Sequence, residues 1–113
     1  MPRPVIGLTC YLEPAKWGAW DIEAALLPHW YVDLFQEAGA HVVILPPDTD
    51  PDVGVLDRLD GLVIVGGADV NPASYGEPAH ETSDTPRASR DSSETNLYRG
   101  ARERNMPVLG VCR

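Results

Sequence analysis

Three groups of residues in this 113-residue chain could do chemistry. Cys112 follows a short apolar run, Pro107-Val108-Leu109-Gly110-Val111. A thiol raised on the turn after a strand can attack a substrate while neighbouring backbone N–H groups stabilise the oxyanion that forms. Free cysteine, with a pKa of about 8.5, leaves only a few per cent thiolate at neutral pH, so it needs help from a helix N-terminus, a cation or a histidine base. Gly66 and Gly67 end a second apolar run. Consecutive glycines there can turn their N–H groups toward a developing negative charge, and the amide of Arg113 would add a further donor. Asp69 and Tyr75 come third, on the stretch that also holds Asn71, Pro72 and Gly76, with polar groups suited to the charged ends of an amino acid. Each group has a plainer reading. The thiol could be a small buried hydrophobe, the glycine pair a tight turn, and the Asn-Pro and Tyr-Gly steps ordinary turn chemistry.

These residues are useful only if something brings them together, since forty-five positions separate Gly67 from Cys112. The apolar pattern supplies the means. Val5 to Thr9, His41 to Leu45, residues 61–65 and residues 107–111 read as four buried strands. Between them lie a helix entered at Pro28 and closed by Gly39, with Tyr31, Leu34, Phe35 and Ala38 on one stripe, a short helix over residues 53–59, and a helix over residues 91–104. Asp91 and Glu94 resemble a capping box, Leu97, Ala101 and Arg104 share a face, and Gly100 weakens that helix by about 1 kcal/mol relative to alanine. Arg90, Asp91 and Glu94 read as a solvated helix start. Residues 11–27, with Pro14, Trp17, Gly18 and Trp20, read as a loop, and residues 68–90 as a long polar loop near the site.

Alternating strands and helices imply right-handed crossovers and a parallel sheet covered on both faces. All carboxyl ends of such a sheet lie on one edge. Thr9 to Tyr11, Pro46, Gly66 with Gly67, and Cys112 therefore converge there from topology alone.

Composition narrows the classes. The chain is 43% hydrophobic, 23% charged and 7% aromatic, with no run near the ~18 apolar residues a membrane span needs. Seventeen acidic against nine basic side chains give a net charge of −8, which argues against a nucleic-acid partner. Cys10 and Cys112 lie far apart, and His29, His41 and His80 form no ligand motif, so neither a disulfide framework nor a metal site is expected. A Cys10–Cys112 bridge would need Cα atoms within about 7 Å, and Cys10 reads instead as a buried spectator. The N-terminus does not read as a secretory signal, which makes the cytoplasm the expected compartment.

Three ordered motifs carry a family likeness. Leu59-Asp60-Gly61-Leu62 leads to Gly66-Gly67-Ala68-Asp69-Val70-Asn71-Pro72 with Tyr75-Gly76-Glu77; Arg90-Asp91-x-x-Glu94-x-x-Leu97 follows; Pro107-Val108-Leu109-Gly110-Val111-Cys112-Arg113 comes last. Val5-Ile6-Gly7-Leu8-Thr9 and Glu37-Ala38-Gly39 match the beginning. Together they resemble the N-terminal half of a class I glutamine amidotransferase-like domain, of the γ-glutamyl-γ-aminobutyrate hydrolase branch of cysteine peptidases.

The resemblance implies a three-layer α/β/α, flavodoxin-like and mostly parallel sheet, of which residues 1–113 form about half. It implies Cys112 as the nucleophile toward a γ-glutamyl amide, with Gly67 and the Arg113 amide, beside Gly66, at the oxyanion hole. The family's histidine and acid lie further downstream in a His-x-Glu setting that none of the three histidines here occupies. The chain thus reads as a fragment of a longer protein. Its expected partners are a small γ-glutamyl substrate and the remainder of its own domain, with a homo-oligomer left open and no cofactor. Two other readings stand beside this one: a glutaminase passing ammonia to a synthase, and a non-catalytic flavodoxin-like binding module.

Overall fold

The computed structural model describes residues 2–48, 52–66 and 81–111, with side chains from residue 90 onward in the last stretch. Four strands form a parallel sheet: β1 (Val5–Thr9), β4 (His41–Leu45), β5 (Gly61–Ile64) and β6 (Val108–Gly110). Their order across the sheet is β4-β1-β5-β6. The chain therefore leaves β1 in one direction to form β4, then reverses to add β5 and β6 on the other side. This is the flavodoxin-like arrangement expected from the sequence, and in such folds ligands bind outside the carboxyl ends of the strands where the order reverses, here between β1 and β5.

Side chains alternate strictly between the two faces, as pleated strands require. Leu8, Val63 and Val65 pack on one face with Tyr31 and Phe35 of helix α1 (His29–Glu37). Leu45, Leu56 and Leu62 pack on the other with Leu97 and Ala101 of helix α2 (Glu81–Glu103). The helices thus cover opposite faces, giving three layers. Helix α1 presents a narrower stripe than its sequence suggests, because Leu34 is 55% exposed and only Tyr31 and Phe35 reach the sheet. It closes at Gly39, whose φ of 99° a side chain would strain.

Two expectations need correction. Residues 11–27 are mostly a hairpin, β2 (Tyr11–Trp17) with β3 (Trp20–Leu26), turned by Gly18 at φ 56° and Ala19. Its register runs from Tyr11↔Leu26 to Trp17↔Trp20, and the two indole rings stack with centroids 6.2 Å apart. Pro14 is tolerated because a two-stranded ribbon consists only of edges. The second correction concerns the long loop of residues 68–90. Residues 81–90 are the opening turns of α2, and residues 67–80 lie outside the described residues. Those opening turns carry no apolar stripe, and helix formation is cooperative, so the packed portion from Arg90 onward can extend the helix backward through polar sequence.

The short helix is a 3-10 segment, Val53–Arg58, capped by the Asp52 carboxylate, which accepts from the Gly54 N–H at 2.9 Å. It explains Gly100. A Cβ at that position would stand 2.8 Å from Leu56 Cδ1 and 3.2 Å from Val53 Cβ, and Leu56 is fully buried. The glycine lets α2 approach the 3-10 segment closely. Gly100→Ala is therefore expected to destabilise by about 1 kcal/mol: an overpacking cost of about 1–3 kcal/mol exceeds the gain in helix propensity of about 1 kcal/mol. A denaturation midpoint equal to or above that of the parent would refute this.

Candidate functional site at the carboxyl edge of the sheet

Strands β5 and β6 run in parallel register, Leu62↔Val108, Val63↔Leu109 and Ile64↔Gly110. The pairing continues one step past β6, where the Val111 N–H donates to the Ile64 carbonyl at 2.9 Å. The exits of β5 and β6 are therefore side by side. Gly66, buried, lies two residues past the end of β5, and the residue after Val111 is Cys112. Of the residues assigned from sequence to the site, Gly66 alone is described; Cys112, Arg113, Gly67, Asp69 and Tyr75 lie outside the described residues.

Beneath the exit of β5 sits a polar cluster that includes Arg90 and Glu94, two residues expected in solvent. Arg90 is 4% exposed and Glu94 9% exposed. The Arg90 Nε donates to Glu94 Oε2 at 2.9 Å, and its Nη2 donates to the Val65 carbonyl. Its guanidinium carbon lies 4.7 Å from the centroid of the Tyr11 ring, within cation–π range. The Tyr11 hydroxyl in turn donates to the Gly66 carbonyl. From the end of β1, Thr9 Oγ1 accepts from the Val65 N–H at 3.0 Å.

The solvated reading of Arg90 and Glu94 fails for a reason visible in their spacing. Positions 90, 94, 97 and 101 continue one helical stripe, and Leu97 and Ala101 on it are in the core. A charged pair on an apolar stripe is an internal ion pair, and that was the missed signal.

Cys10 is fully buried beside this cluster. Burial is the main influence and pushes its thiol pKa above that of a free thiol, the Arg90 guanidinium pulls the other way, and the Glu94 carboxylate adds to the rise. A thiol held neutral and out of solvent is a poor nucleophile, in keeping with a spectator. Because the folded state disfavours the thiolate, the linked stability is complete below the free-thiol pKa of about 8.5 and is lost as pH rises from there through the raised value. Cys10→Ala should accordingly show a smaller fall in urea stability than the parent between about pH 8 and pH 10. Identical slopes for parent and variant would contradict it.

Among the described residues no three His, Cys, Asp or Glu side chains gather as metal ligands, and no helix is long and apolar enough to cross a membrane.

Comparison with known proteins gives this edge a context. A protein of Mycobacterium tuberculosis named "Putative glutamine amidotransferase" is 53% identical over 98% of this chain, which covers 37% of its length. A Lactococcus lactis subsp. cremoris protein named "Putative glutamine amidotransferase-like protein" is 40% identical over 74% of the chain, covering 45% of its own length. A Rickettsia prowazekii protein of the same descriptive name is 31% identical over 98% of the chain and covers 41% of its length. The chain thus spans roughly two fifths of the curated relatives it matches. The Peptidase C26 family model matches residues 4–113. With its flavodoxin-like parallel sheet and the paired exits of β5 and β6, the chain belongs to the Peptidase C26 family of the class I glutamine amidotransferase-like superfamily.

Proposed function

We propose that the complete protein is a cytoplasmic hydrolase of γ-glutamyl amides, with γ-glutamyl-γ-aminobutyrate as the representative substrate. The observation that carries this reading is the Val111 N–H bond to the Ile64 carbonyl, which brings the strand leading to Cys112 beside the strand leading to Gly66 and Gly67. The Cys112 thiolate attacks the γ-carbonyl carbon, and the carbon–oxygen π pair moves onto oxygen. Collapse of the tetrahedral species breaks the C–N bond, and the departing amine takes a proton from the base. Water then adds to the thioester and returns a proton to the base, the C–S bond breaks to restore the thiolate, and glutamate is released with its remaining γ-carboxyl proton going to solvent. Gly67 and the Arg113 amide, beside Gly66, stabilise the oxyanion in both steps. Asp69 and Tyr75 hold the charged ends of the glutamyl group. The base is a histidine oriented by an acid, both from sequence beyond residue 113. Neither step requires a metal or an organic cofactor.

The names of the relatives favour a second reading, a glutaminase that hands ammonia to a synthase partner. Assay of the full-length protein alone distinguishes the two. Steady release of γ-aminobutyrate from γ-glutamyl-γ-aminobutyrate without any added protein is the expected result. Turnover of glutamine alone, and only when a synthase is supplied, would replace the hydrolase reading with the second one.

A further inference from the structure

The regular ladder of β5 ends before the glycines: its last pairings are Leu8↔Val63 on one side and Ile64↔Gly110 on the other. Beyond it, three successive peptide units are each held by a buried polar side chain from a different element. In the unit joining Ile64 to Val65, the N–H donates to Thr9 Oγ1 at the end of β1, while the carbonyl accepts from Val111. In the unit joining Val65 to Gly66, the carbonyl accepts from Arg90 of α2. In the next unit, the Gly66 carbonyl accepts from the Tyr11 hydroxyl at the start of β2. Glu94 and the Tyr11 ring orient the guanidinium between them.

A peptide unit is planar, so fixing its C=O fixes the plane of the N–H it shares. The Gly66 carbonyl shares its unit with the amide of Gly67, and the Val65 carbonyl shares its unit with the amide of Gly66. Those are the donors expected at the oxyanion hole. Glycine backbone is otherwise the freest in the chain, and a donor must be aimed before the reaction if it is to stabilise the oxyanion without reorganisation cost.

We propose that Thr9, Tyr11 and Arg90, the last steadied by Glu94, are positioning residues that replace the strand ladder past Ile64: Arg90 and Tyr11 set the planes of the two glycine amides, and Thr9 anchors the peptide unit immediately before them. This inference rests on the hydrolase reading above. Stability alone would not call for such a cluster, because buried ion pairs are commonly replaceable by apolar residues at no loss.

The test is Tyr11→Phe in the full-length protein, which removes the hydroxyl and leaves the ring beside Arg90. Two measurements are made: amide hydrogen exchange of the segment spanning residues 62–68, and kcat and KM for γ-glutamyl-γ-aminobutyrate. Exchange in that segment is expected to speed up by about tenfold or more, with kcat lowered by about 10- to 100-fold and KM within about twofold. Thr9→Val, which removes the hydroxyl acceptor at nearly constant volume, is the second variant and should act in the same direction. Unchanged exchange in both variants overturns the clamp. Faster exchange with unchanged kcat makes the residues merely structural and overturns their role in the reaction. A parent protein inactive on γ-glutamyl amides overturns the hydrolase reading and the catalytic half of this inference, while the exchange data still decide whether the clamp exists.

Discussion

Cys112→Ser in the full-length protein is expected to lower kcat/KM for amide hydrolysis by about 10⁴- to 10⁶-fold, the scale of losing a nucleophile that acts as one unit with its base. Serine keeps nearly the size of cysteine but presents an alcohol, a far weaker nucleophile than the thiolate that the proposed reaction uses. Folding should be untouched, so the denaturation midpoint serves as the control. The second cysteine sharpens the experiment. Cys10 is fully buried with a raised pKa, so iodoacetamide at neutral pH should label Cys112 and spare Cys10 in the native protein, and should label Cys10 as well after unfolding. Undiminished turnover by the serine variant removes the nucleophile assignment. Equal reactivity of both thiols, with the pH profile of a model thiol, favours the binding-module reading instead.

Arg90→Met should cost about 3–5 kcal/mol of stability. The substitution leaves the Glu94 carboxylate, with a side chain 11% exposed, without its cation and leaves the Val65 carbonyl without its Arg90 donor. Removing one member of a buried pair is far more damaging than removing both, because the surviving charge is stranded in a medium that solvates it poorly. The double variant Arg90→Met/Glu94→Leu should therefore recover a substantial part of the loss, and Glu94→Gln should fall between. Urea denaturation of the full-length proteins measures all four. A single variant within about 1 kcal/mol of the parent would mean that the pair is hydrated and that the burial argument is wrong. The exposed pair Arg104–Asp57, at 2.7 Å, provides the contrast, since ion pairs open to solvent contribute little.

The central sheet was legible because its strands are continuous apolar runs bounded by proline or glycine, and such runs have few other destinations than a sheet covered on both faces. Helix α1 was legible from its end signals, Pro28 and Gly39. The hairpin was obscured by Pro14, which discourages a strand reading in sequence, although Trp20-Asp21-Ile22-Glu23 alternates and Gly18-Ala19 is the right length for a two-residue turn. The first turns of α2 were hidden for another reason: polar all round, they have no stripe to detect. At the site, the convergence of the strand exits followed from topology, whereas the polar cluster did not. An Arg–Glu pair at i, i+4 is usually a solvated surface pair. Only its phase relative to Leu97 and Ala101 distinguishes it, and that phase carries meaning once the covered face is known.

The contacts that hold the exit of β5 also say something about when it can form. Thr9 meets Val65 across 56 residues of chain, Tyr11 meets Gly66 across 55, and Arg90 meets Val65 across 25. Contacts between distant parts of a chain require loop closure before they return any stabilisation, and they are gained late on the folding path. The hairpin, the first strand and the second helix must all have docked before the three bonds can coexist. Val65 and Gly66 are thus the last part of this region to be fixed, and a partly folded chain lacks all three of the bonds that hold them.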